Sequence, residues 1–252
     1  MSSVCRREER CGHNACGSPR TWCAECVREQ QDKLQDFSAI KRYAWDCKQV
    51  FSSRRWGITG EAGFFLDPFY SPGSDFIGFG NTFLCELIKR ALAGKSNRLH
   101  AWLFDMLYQR LHYGTAPVYQ DQYKLFGNQQ IMPIKILWDY LIYWTLSSYL
   151  FCHGRTCDLR VYARHLFKIK RLDDLNPLMQ TYFLRWDEQD EYFQATVQID
   201  AWRLPLVLET NRALQDDLDS AMYAKRFAAN VAQIETLFWE IIDHAGVPCD
   251  VP

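Results

Sequence analysis

The sequence predicts a mainly α fold, with a few strands lying mostly ahead of residue 74. Three observations carry this. Apolar residues recur at helical spacing in one segment after another from Ser74 onward. Gly94, Gly114 and Pro117 fall between those segments and stop them, rather than interrupting them. Extended character is confined to residues 37–51, to Trp56–Thr59 and, weakly, to Phe193–Ile199.

Each helix has its own signal. Ser74 or Asp75 can cap the first, whose apolar positions are Ile77, Phe83, Leu84, Leu87, Ile88 and Leu92, with Gly94 at its end. Ser96 and Asn97 start a second, placing Leu99, Trp102, Leu103, Met106 and Leu107 on one buried face. A third covers Val118 to Phe126. The next has a wide apolar stripe of Ile134, Leu137, Trp138, Leu141, Trp144, Thr145 and Ser148. Asp158 to Leu172 reads as a helix whose Arg160, Arg164, Lys168, Lys170 and Arg171 form a solvated face. Pro177 reads as the first residue of a separate helix reaching about Trp186. Two helices close the chain, the last with Phe227, Val231, Ile234, Phe238 and Ile241 in register. There is no internal repeat.

Composition narrows the function. The 252 residues suit one large domain or two small ones. A net charge of -1 gives no whole-chain footprint for nucleic acid, so no such partner is expected. The longest apolar segment, Ile131 to Phe151, contains Lys135 and Asp139, so it reads as a buried helix and no membrane partner is expected. The first residues lack an apolar core of the secretory type, which makes a cytoplasmic location the expectation. With 9 Trp, 13 Tyr and 16 Phe, a bulky core or an aromatic-lined cavity is expected. Trp102, Trp138, Tyr140 and Trp144 are candidates for its lining, although a helical stripe of this kind reads first as core. Five of ten cysteines lie in the first 26 residues. Cys11, Cys16, Cys23 and Cys26, with His13 near, have a loose zinc-type spacing. The preferred reading of residues 1–32 is a disordered, Cys-rich leader. Hydrolase motifs of the Gly-x-Ser-x-Gly and His-Glu-x-x-His kinds are absent from the sequence, and its histidines are isolated.

The densest backbone punctuation is Trp56–Phe76, WGITGEAGFFLDPFYSPGSDF. A strand ending at Gly60 lets backbone approach a ligand, because no side chain obstructs it. Glu61 places a carboxylate beside that strand, where it can accept hydrogen bonds from sugar-type hydroxyls. Asp67-Pro68 and Pro72-Gly73 fix turns. The helix that follows presents free N–H groups and a positive dipole end. A plain strand-turn-helix connection would use the same residues.

The stretch Gly60, Glu61, Ala62, Phe65, Asp67, Pro68, Ser71, Gly73 resembles the second FAD-binding motif of flavin-dependent halogenases and related flavoprotein monooxygenases, with Glu61 for the usual Asp. The resemblance implies a cofactor, FAD, held by Gly60, Glu61, Ala62, Asp67, Pro68, Ser71, Pro72 and Gly73. Glu61 would face the ribityl or ribose part, and Asp67 and Pro68 would shape the turn beside the flavin. Pro72, Gly73 and the following N–H groups would lie near the flavin ring. It implies a small-molecule substrate, an aromatic one among those open to that family, attacked after reduced flavin and O2 form a hydroperoxide.

Parts of the family pattern are missing here. The sequence has no Gly-x-Gly-x-x-Gly turn for the pyrophosphate, no Trp-x-Trp-x-Ile-Pro and no lysine matching the family's catalytic one. The expectation is therefore the C-terminal helical part of a halogenase-like FAD oxidoreductase, inactive alone. Residues 33–73 would be a remnant of the FAD domain and residues 74–252 a helical substrate or cover domain. Trp56, lacking a parallel sheet, would have no strand to pair with. The alternatives are a helical interaction module completed by a separate flavoprotein chain, and a zinc-binding protein.

Overall fold

The computed structural model describes residues 25–33, 44–189 and 204–248. It divides into two compact units, Met1–Arg42 and Tyr43–Pro252. In the first, residues 25–29 form a helical turn followed by a 3-10 turn at Gln31–Lys33. Of the proposed zinc set, Cys26 is described and half-buried. Cys11, His13, Cys16 and Cys23 lie outside the described residues, as does the weak strand reading at 193–199.

The second unit is mainly α. A two-stranded antiparallel hairpin, β1 (Phe51–Ser52) and β2 (Trp56–Gly57), precedes seven helices among the described residues. These are α1 (Pro72–Leu92), α2 (Arg98–Thr115), α3 (Ile131–Thr145), α4 (Ser147–Cys152), α5 (Leu159–Gln189), α6 (Pro205–Arg212) and α7 (Ser220–Ala245). Trp56 thus does have a strand partner, Ser52, because the chain turns back at Arg55 (φ 65°) and pairs locally. A short hairpin supplies neighbours that a parallel sheet was expected to provide.

Two apolar cores hold this unit. One joins the hairpin to α1 and α2 through Val50, Phe51, Phe64, Phe76, Phe83, Phe104 and Tyr108. The other joins α3, α5, α6 and α7 through Trp138, Leu172, Met179, Phe183, Val207, Phe227 and Phe238. Burying each of these side chains contributes about 1.5–3 kcal/mol before the ordering entropy is subtracted. The last helix follows its sequence signal closely. Asp219 caps α7, accepting from the Ala221 and Met222 N–H groups at 2.8 and 2.7 Å. All five apolar positions read from its sequence are buried.

Four readings need correction. Helix α1 begins at Pro72 rather than at Ser74 or Asp75, with Pro at N1 and Ser71 as an N-cap whose side chain makes no capping bond. Residues 116–126 hold two 3-10 turns, Ala116–Val118 and Gln122–Leu125, where one helix over Val118 to Phe126 was expected. Pro177 lies inside one continuous 31-residue helix, α5. The buried face of α5 runs through the proline without a break, from Leu172 and Leu175 to Met179 and Phe183, so packing outweighs the missing N–H.

The fourth concerns α2, whose buried face is Ala101, Phe104, Tyr108 and His112. Leu99, Trp102 and Met106 are exposed by 58%, 61% and 46%, which reverses the expected side. Polar anchors set the rotation of the helix. Asp105 accepts from the Val50 and Phe51 N–H groups at 2.6 and 3.0 Å. The Tyr108 hydroxyl donates to the Phe76 carbonyl at 2.8 Å. On α1, Ile77, Ile88 and Leu92 also face outward.

Candidate functional site

The motif folds tightly. Gly60 has φ +57°, a left-handed conformation that glycine takes at no steric cost. It packs against α1, where a Cβ would meet Ile77 Cγ1 at 2.6 Å. Residues Gly60–Ala62 form a 3-10 turn, and Trp45 clasps it from outside. The Trp45 indole donates to the Glu61 carbonyl at 2.9 Å, and its ring stacks on Phe65 at 4.8 Å. Asp67 is buried and accepts from the Phe69 N–H (2.9 Å) and the Tyr123 hydroxyl (2.6 Å). This is a side chain closing its own turn. Tyr70 and Ser71 then take left-handed φ angles of 63° and 55°, although neither is glycine. That pair delivers the chain into α1 and points Tyr70 at α3.

A cavity of about 340 Å³ opens where this turn meets the helices. Tyr70, Ser71, Pro72, Ser74 and Asp75 line one side of it. Arg110, Gly114 and Tyr119 come from or follow α2, Asp139, Tyr140 and Tyr143 from α3, and Tyr162, Asp173 and Asn176 from α5. Phe76, Phe79, Leu107, Ile142, Leu146 and Leu172 supply apolar wall. The volume suits a small organic molecule, and an apolar wall with a few convergent polar groups is the usual composition of such a site.

Three carboxylates reach this cavity. Asp75, in the first turn of α1, accepts from the Tyr143 hydroxyl at 2.6 Å, and burial pushes its carboxyl up. Asp173 faces Arg110 in a two-pronged pair, Nε to Oδ2 at 2.7 Å and Nη2 to Oδ1 at 2.5 Å. Burial raises it, and the guanidinium draws it back. Asp139 belongs to a buried network. Lys135, wholly buried, donates to Asp139 Oδ2 (2.5 Å), Gln180 Oε1 (2.9 Å) and the Val118 carbonyl (3.2 Å), so each ammonium proton has an acceptor. Gln180 donates to Asp139 Oδ1 at 2.7 Å, and Tyr70 donates to Asp139 Oδ2 at 3.2 Å. Trp138 and Gln180 both donate to Asn176 Oδ1. Desolvation raises Asp139 and lowers Lys135, and their mutual attraction opposes both shifts. Tyr70 and Tyr119 are raised well above the ordinary phenol range, by burial first and by the Asp139 charge second. They stay neutral hydrogen-bonding groups.

The eight residues expected to hold FAD separate here. Ser71 and Pro72 line the cavity, whereas Gly60, Glu61, Ala62, Asp67, Pro68 and Gly73 are not among its lining residues. Gly60 and Asp67 are buried, and Glu61, Ala62 and Pro68 are exposed. The motif's glycines face the protein's own atoms. The Glu61 carboxylate occupies the place of a Cβ on Gly73, and Ile77 that of a Cβ on Gly60. These residues form a closed turn on the side where a glycine Cβ would lie. Of the aromatic lining candidates, Tyr140 reaches the cavity. Trp138 and Trp144 are core, and Trp102 is exposed. Sequence reasoning missed Asp75 as more than a cap, and missed Arg110, Tyr143 and Asp173. Their partners lie 63 and 68 positions away, so no local spacing announces them. Among the described residues no group of three or more His, Cys, Asp or Glu is placed to hold a metal ion. Nor is any helix long and apolar enough to cross a membrane.

A consequence can be measured at Asp75. Because its carboxyl is raised in the folded chain, that chain holds the proton more tightly than the unfolded one. The stabilisation is complete below the ordinary carboxylate range and is lost as pH climbs through the raised value. Asp75→Asn removes this contribution and keeps an acceptor for Tyr143. Thermal unfolding across mildly acidic pH is expected to fall off less steeply in the variant than in the parent. Identical slopes would exclude the assignment.

Comparison with known proteins places this geometry in context. No family model matches the chain, and no solved structure matches it. Over 116 residues, 45% of this chain, the sequence is 28% identical to the flavin-dependent halogenase chlA of Dictyostelium discoideum. The matched part is 19% of that relative's length, so the chain spans well under two thirds of it. What these findings establish is a distant similarity to a flavin-dependent halogenase.

Proposed function

We propose that this chain is the helical, substrate-holding part of a flavoprotein oxidoreductase of the halogenase and monooxygenase kind. The observation that carries the reading is the cavity itself, whose wall includes Ser71 and Pro72 from the end of the flavin-type motif, with Tyr70 and Ser74 beside them, facing the tyrosines and carboxylates of α3 and α5. The similarity to a flavin-dependent halogenase supports it. The ligand class that fits is a small aromatic molecule with a polar end. Apolar wall takes the ring, and Asp75 with Tyr143, or Asp173 with Arg110, takes the polar group. The flavin's pyrophosphate would be held by residues outside these 252, since this sequence has no glycine-rich turn for it.

Two readouts test the proposal together. Purified chain mixed with FAD and desalted should carry no stoichiometric flavin absorbance. Titration with simple phenols and indoles should give saturable changes in tryptophan and tyrosine fluorescence. Leu146→Trp, which fills the cavity, should abolish them. Aromatic binding that survives Leu146→Trp would remove the cavity from the proposal. FAD retained near one per chain would remove the claim that residues outside these 252 hold its pyrophosphate.

A further inference from the structure

A second site lies away from the cavity, between the start of α5 and the start of α7. A cleft of about 130 Å³ is lined there by Arg155, Asp158, Arg160, Arg164, Ser220 and Tyr223. The charges do not cancel. Asp158 is committed to Arg160, with Nε to Oδ1 at 3.0 Å and Nη2 to Oδ2 at 3.2 Å, and that arginine holds its carboxyl below the usual range. No ion pair is recorded for Arg155 or Arg164 among the described residues. Arg155 instead lies over the Tyr223 ring, 5.6 Å from its centre. The floor of the cleft is Tyr223. Its side chain stacks on Tyr149 at 4.7 Å, and only 2% of the residue is exposed. Its hydroxyl is buried without a hydrogen-bond partner. A buried hydroxyl left unpaired is costly, and one on a cleft-lining residue that carries the Arg155 guanidinium over its ring points to a missing acceptor. His165, beside it, is pushed down by burial and by Lys168 and Arg164, so it adds no full charge of its own.

We propose that this cleft binds a small tetrahedral oxyanion, a phosphoryl group carried by free phosphate or by a phosphate monoester. Two forked guanidinium groups balance a dianion and match its oxygens in pairs, as guanidinium does best. Tyr223 donates from below and Ser220, the first residue of α7, from the side. The first N–H groups of α7 are already taken by the Asp219 carboxylate, so the arginines and hydroxyls carry the site. The cleft is too small for a nucleobase or an aromatic ring beside the anion, so the recognised part is the phosphoryl group alone. A monatomic anion would use neither the fork nor the spacing of the hydroxyl donors.

Calorimetric titration of the full chain at fixed ionic strength tests this. Inorganic phosphate is the first probe, glycerol phosphate the second and chloride the control. Phosphate is expected to bind saturably with a sub-millimolar Kd while chloride does not. Arg155→Ala and Arg164→Ala should each weaken phosphate about tenfold or more, the scale of a lost charge-assisted pair. Tyr223→Phe keeps the stacked ring and the fold, checked by an unchanged unfolding temperature, and should weaken phosphate several-fold. Equal affinity for glycerol phosphate assigns the site to a monoester, and binding of phosphate alone assigns it to the free ion. Either supports the oxyanion site. Absence of saturable binding in the parent chain overturns it, and so does unaltered binding in Arg155→Ala and Arg164→Ala.

Discussion

Lys135→Met should destabilise the chain by about 3–5 kcal/mol, the cost of leaving a buried partner charge uncompensated. Lys135 is wholly buried and spends all three protons on Asp139, Gln180 and the Val118 carbonyl. Its removal leaves Asp139 with Tyr70 and Gln180 as donors and no positive charge. Domains of this size hold only about 5–15 kcal/mol in total, so the effect is large. The double variant Lys135→Met with Asp139→Leu removes both charges and should recover most of the loss, because an apolar replacement of a buried pair is often neutral or better. Urea midpoints of the parent, single and double variants decide it. A single variant within about 1 kcal/mol of the parent would show that Asp139 is neutral in the folded chain and needs no counter-ion.

Trp138→Ala is expected to cost about 3–5 kcal/mol, by loss of transfer energy and by the cavity left behind. The residue is fully buried, packs near Phe238 at 6.0 Å, and donates to Asn176 at 3.1 Å. Asn176 in turn donates to the Gly114 carbonyl and stands in the cavity wall. Trp138→Phe keeps most of the volume and removes only the donor, so it should cost about 1–3 kcal/mol. If Trp138→Ala lowered aromatic binding with little loss of stability, its assignment to the core in place of the cavity lining would be wrong.

Much of the fold was legible because local periodicity is a local property. The α7 stripe of Phe227, Val231, Ile234, Phe238 and Ile241 is buried as spaced. The stripe in α3 is legible for the same reason, Trp138, Leu141 and Trp144 being buried at helical intervals, but the expected single helix breaks at Leu146, so Ser148 falls in α4. Rotation is different, since it depends on what the helix meets. In α2, Trp102, Leu103 and Phe104 are consecutive, so the apolar content fits two opposite faces. Asp105 and Tyr108 choose between them through partners 54 and 32 residues away. Pro177 carried a real local signal, a helix start, which continuous packing on either side overrode. The motif at 60–73 was visible as punctuation, and the turn at Gly60 follows from glycine's freedom at φ +57°. What lay beyond the sequence was the filling of that turn by Glu61 and Ile77. Equally hidden was the use of Lys135 and Asp139 as a buried pair, which in sequence are two charges interrupting an apolar run.

The cavity draws its walls from stretches as far apart as Tyr70 and Asn176. None of those stretches holds a ligand by itself, and the pieces meet only when α5 has docked on both α2 and α3. Occupancy is therefore coupled to the cooperative unit as a whole. A molecule that binds there should slow hydrogen exchange in α1, α2, α3 and α5 together and raise the unfolding temperature with its concentration, rather than rigidify one loop.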